Sequence, residues 1–80
     1  MDEATARKAA DEAAKMSADA ADFADRADAM AALCPTPAAA KRFRKLAADA
    51  RGVADETAAH AAYFTEELRA LADDETISDN

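Results

Sequence analysis

The 80-residue chain lacks tryptophan altogether and carries one glycine (Gly52), one cysteine (Cys34), one histidine (His60), one tyrosine (Tyr63) and two prolines, Pro35 and Pro37. Each scarcity removes a class of protein. One cysteine cannot build a disulfide framework within a chain. One histidine excludes a two-histidine metal site within one copy. So little glycine leaves no phosphate-cradling loop, and no nucleophile stands at a usable spacing from a histidine base. No apolar run is long enough to cross a bilayer and no charged, apolar, small-residue leader opens the chain, so a soluble cytoplasmic protein with no membrane contact is expected. Eighty residues make one domain, too small for a deep enzyme cleft. Neither catalysis nor a cofactor is expected.

What is abundant is alanine, 27 residues of it, against only fourteen larger apolar side chains, Met1 and Ile77 included. Alanine is the best helix former, so propensity favours helix everywhere except around Leu33-Cys34-Pro35-Thr36-Pro37, and nothing reads as a strand. The core is thin. Ordering a chain costs roughly 1.5 kcal/mol per residue and alanine methyls recover little of that, so a lone helical pair is expected to be marginal and to need a partner surface.

Reading every third and fourth residue from Ala6 gives an unbroken seam: Ala6, Ala9, Ala13, Met16, Ala20, Phe23, Ala27, Met30, Cys34. One set of positions stays small while the other turns large at Met16, Phe23 and Met30, and Ala10, Ala24 and Ala31 flank them. Small opposite large permits close helix packing, near 8 Å between axes. The second half repeats the pattern through Phe43, Leu46, Ala50, Val53, Thr57, His60, Phe64 and Leu71, with an equally regular overlapping seam at Ala47, Ala54, Ala61 and Leu68. A face wider than one seam suits a helix with two neighbours, which predicts a four-helix bundle rather than a two-stranded coil.

The prolines explain the break. Pro35 disfavours the helical region for Cys34, and Pro37 does the same for Thr36, leaving Thr36 as an N-cap with Pro37 at the first helical position. The expected architecture is all-α: helix one over about 3–33, a turn at 34–36, helix two over about 37–72, together a hairpin over 1–73, then a frayed acidic tail at 74–80. So short a turn makes the helices antiparallel, with residues whose numbers add to about 70 side by side. Gly52 falls inside helix two and reads as a close helix contact or as drift, with a hinge the competing reading. The stretches at 6–14 and 50–58 share six of nine residues, a faint internal repeat.

Charge is distributed unevenly. Residues 1–19 carry −2, residues 20–52 carry +2 and residues 53–80 carry −7, for a net charge of −7. In a hairpin the turn end is mildly positive and the terminal end strongly negative, so two copies are expected to pair in opposite directions as an antiparallel homodimer. The cluster Lys41, Arg42, Arg44 and Lys45 opposes the dipole at the start of helix two. Asp22, Asp25 and Asp28 lie at a similar height but point outward and neutralise it only partly. These four cations read as solvated surface or as the contact for an acidic surface, in the same dimer or on another protein, with the carboxylates near the termini the alternative contact for a basic partner.

The remaining residues read more plainly as structure. His60 fits a packed or flanking core position, and Glu56 at i−4 lacks the Glu-x-x-His spacing of di-iron bundles, so no metal site is expected. Cys34 is structural, with a reactive thiol or an intermolecular link left open. Met16 and Met30 fill gaps in the seam. Phe43 beside the four cations suggests base stacking, but a net charge of −7 repels phosphate and the seam already demands Phe43, so nucleic acid is not the expected partner.

Two resemblances bear on function. The alternation of alanine with large residues in a short-turn hairpin is similar in architecture to ROP, a dimeric bundle whose family regulates RNA pairing. That likeness implies an RNA regulator; beside it stands the reading that an acidic helical protein imitates nucleic acid and blocks a protein that binds it. Tyr63-Phe-Thr-Glu-Glu67 resembles the Tyr-x-x-x-Asp/Glu pattern of the WXG100 class of type VII secreted helical hairpins, which are likewise small, acidic and alanine-rich. The Trp-x-Gly turn of that class is replaced here by Cys34-Pro35-Thr36-Pro37. The leading expectation is a non-enzymatic interaction module, an adaptor, assembly factor or inhibitor. Its bundle seam would run through Met16, Phe23, Met30, Phe43, Leu46, Val53, Phe64, Leu68 and Leu71.

Overall fold

A computed structural model describes the backbone of residues 1–78 and the side chains of residues 1–73. It contains two helices, α1 (Glu3–Leu33) and α2 (Pro37–Ser78), folded against each other as a rod measuring 67 × 14 × 13 Å.

The ends follow from local chemistry. Asp2 is extended, and its Oδ1 accepts the Thr5 N–H at 2.7 Å while its carbonyl accepts the Ala6 N–H at 3.0 Å, an N-cap for α1. At the other end Cys34 is extended at φ −70° and ψ 135°, as a residue before proline must be. Its N–H donates to the Ala31 carbonyl and its thiol to the Met30 carbonyl at 3.2 Å. Thr36 then caps α2, its Oγ1 accepting the Ala39 N–H at 3.2 Å and its carbonyl the Ala40 N–H at 3.1 Å. With no glycine or proline after Gly52 to stop it, α2 continues as far as Ser78, beyond the expected end near 72. The side chains of the expected acidic tail, 74–80, lie outside the described residues.

The helices meet on alanine. Ala6, Ala10, Ala13, Ala24, Ala27 and Ala31 of α1 are buried against Ala40, Ala47, Ala54 and Thr57 of α2, and Ala24 and Ala47 are 0% exposed. The contact line in α1 therefore runs 6, 10, 13, 17, 20, 24, 27, 31, turned from the expected seam so that the flanking alanines take the place of Met16, Phe23 and Met30. In α2 the overlapping seam holds, with Ala47, Ala54, Ala61 and Leu68 facing α1 and Leu46, Val53 and His60 displaced from it. The reason is steric. Methyl against methyl lets the backbones approach closely where Ala24 and Ala27 meet Ala47, and a Phe or Met on the α1 line would hold them apart there.

Polar side chains bridge the two helices at Ser17 and, on the other face, at Arg51, while Thr57 bonds within its own helix. The Ser17 hydroxyl donates to the Ala54 carbonyl at 2.8 Å, which sets Ser17 level with residue 54. Thr57, buried at 7% exposure, turns its hydroxyl back to the Val53 and Ala54 carbonyls at 2.8 and 3.2 Å. Gly52 does not mark a close contact. It is exposed, and a Cβ placed there would meet nothing within 4 Å.

Candidate functional site

Burial mainly by alanine leaves several of the large apolar residues outside. Met16, Phe23, Met30, Leu46 and Val53 are each about half exposed, at 55, 53, 48, 46 and 47%. Phe43, Phe64, Leu68 and Leu71 are half-buried along the α2 contact line. His60, expected at or beside the core, is exposed.

The five exposed residues share one face of the hairpin. In α1 each precedes a contact-line residue (Met16 before Ser17, Phe23 before Ala24, Met30 before Ala31), and in α2 Leu46 precedes Ala47 and Val53 precedes Ala54. Antiparallel helices are related by a twofold axis normal to the plane containing them, and that axis keeps a residue on its face. Equal offset from the contact line therefore means the same side. Together the five leave on the order of 500 Å² of large apolar residue toward water, taking ~200 Å² for each when fully exposed.

The opposite face is polar. Arg51 of α2 donates to Asp28 Oδ2 at 2.5 Å and to Asp25 Oδ1 at 3.4 Å, tying the helices together across that side. The hydrogen bond to Asp28 is the main cause of an Arg51 pKa raised above its ordinary value, with both carboxylate charges adding to it. Asp22 pairs with Arg26 at 3.0 Å. None of these three aspartates reaches the cationic cluster they were expected to neutralise in part.

That cluster stands on the outside of α2. Lys41, Arg42 and Arg44 make no ion pair among the described residues, and Lys45 has one long contact to Asp49 at 3.5 Å. Their stems and Ala38 line an open depression of about 590 Å³. Tyr63 is 60% exposed and stacks edge-on against Phe64, centroids 5.3 Å apart, while Glu67 is half-buried.

Sequence reasoning missed the interhelical roles of Ser17 and Arg51. Ser17 had a signal, since it interrupts an otherwise all-alanine series at 10, 24 and 31. Arg51 had none beyond its charge. Comparison with known proteins finds no matching family model, curated protein or solved structure.

Proposed function

We propose that this chain is a non-enzymatic protein–protein interaction module whose apolar face is sealed in a homodimeric four-helix bundle and whose outward cations then contact an acidic protein. One observation carries the reading. The line of alternating small and large residues, Ala6 through Met30 in α1 and Phe43 through Phe64 in α2, is centred on neither the hairpin contact nor the open face. It lies between them, about 50° round the helix from the contact line. In a bundle of square cross-section each helix touches two neighbours at right angles, and core side chains point about halfway between. The contact half of the line (Ala6, Ala13, Ala20 and Ala27 in α1; Phe43, Ala50, Thr57 and Phe64 in α2) is buried or half-buried within one hairpin, and Met16, Phe23, Met30, Leu46, Val53 and His60 are left exposed for a second layer.

The expected test result is concentration-dependent association, measured by light scattering, that Phe23→Ser weakens at least tenfold while helix content at high concentration is unchanged. A Phe23→Ser chain that associates as the unaltered one does would contradict the reading.

A further inference from the structure

Resting on that reading, we infer that the second layer is a second copy turned end for end about an axis at Phe23, in a register fixed by the spacing of the apolar stripe. Placing Phe23 on its own counterpart sets Met16 against Met30 of the second copy and Met30 against its Met16. The same axis brings Leu46 of α2 to within about one helical turn of Val53 in the second copy. The stripe is thus complementary to itself when reversed. Its exposed side chains, with the alanines and rim groups between them, bring the face toward the roughly 800 Å² per partner of a standard interface.

The rims of the face choose between orientations. Three residues past each stripe position, on the side away from the hairpin contact, come Asp19, Arg26, Leu33, Asp49 and Glu56, with Glu12 and Arg42 in line with them, all exposed. With copies reversed about Phe23, Arg26 lies beside Asp19 of the second copy, and Arg42 beside its Glu56. Asp49 comes near its counterpart, each beside its own Lys45. With copies in the same direction, α1 stacks on α2 of the second copy at equal height, and Asp19 and Glu12 flank its Asp49 and Glu56, acid against acid. Charge complementarity therefore favours the reversed pair.

Reversal has a consequence for the cations. It stacks α2 on α2, so both clusters of Lys41, Arg42, Arg44 and Lys45 open on one flank of the bundle, about 15 Å apart along its axis. Same-direction pairing would put them on opposite flanks.

Cys34, the sole cysteine, lies at the turn and reports the orientation without any substitution. Reversal about Phe23 separates the two Cys34 residues by about 33 Å along the axis, whereas same-direction copies hold them within roughly 15 Å. Spin labels on Cys34 of the full chain, read by pulsed dipolar spectroscopy at tens of micromolar, are expected to give a distance above 30 Å. A distance below 20 Å overturns the orientation and leaves the dimer standing. Absence of dipolar modulation overturns the second copy as occupant of the face. As a check on register, Arg26→Asp is expected to weaken dimerisation roughly fivefold, and adding Asp19→Arg to restore it; no restoration overturns the rim pairing.

Discussion

Gly52 is the one residue whose replacement the structure positively invites. It sits in a helix interior with open space where a side chain would go, so it contributes the conformational cost of glycine and no compensating contact. Gly52→Ala is expected to stabilise the fold by about 0.5–1 kcal/mol in urea denaturation, with dimerisation unchanged. Asp2 shows the opposite logic, a residue whose charge works. The Thr5 backbone N–H, followed by the Thr5 side chain, lowers its pKa from 3.8. A group depressed on folding contributes stability above its unfolded value and loses it as pH falls through the folded one. The cap should therefore be at full strength above 3.8 and fade below it. Asn caps a helix without titrating. Thermal melts of the unaltered chain and Asp2→Asn should accordingly diverge in acid, the unaltered chain losing more; parallel curves down to the acid limit would refute the cap's role.

At the scale of the helix, what decides the hairpin is which alanines face inward. The turn chemistry was legible residue by residue, because Cys34-Pro35-Thr36-Pro37 admits few backbone solutions and the structure adopts the expected one. The antiparallel pairing and the start of each helix followed. Rotation about the helix axis was not legible, because Ala6, Ala9, Ala10 and Ala13 are chemically identical and offer two contact lines. Only the need for close approach selects the line without Met16 and Phe23. The contact reading of Gly52 failed for a related reason, since a small residue signals closeness only where a neighbour is present. The end of α2 was also misplaced: periodicity fades after Leu71, but nothing in the sequence interrupts a helix there. If the close approach is what holds α1 to α2, Ala47→Leu should destabilise the chain by about 1–3 kcal/mol in urea denaturation, despite adding apolar surface. A stabilising outcome would mean that the helices have room between them.

For the molecule as a whole, a rod of 67 Å with an alanine interior buries little, and the apolar groups able to contribute more lie along one side. The internal likeness of residues 6–14 and 50–58 fits this plan. Ala6 and Ala50, Ala10 and Ala54, and Ala13 and Thr57 occupy matching places on the contact line, so each helix presents the same sequence logic to the other. The proposed functional surfaces, by contrast, were legible only as residue types. The four cations and the large apolar residues were identifiable, but their separation onto an outer flank and an exposed apolar face required the packed hairpin. Sedimentation equilibrium of the unaltered chain at micromolar concentration, in moderate salt to screen the excess acidic charge, tests the central claim most directly. A helical species of twice the monomer mass is the predicted result, and a fully helical, stably folded single copy would contradict it.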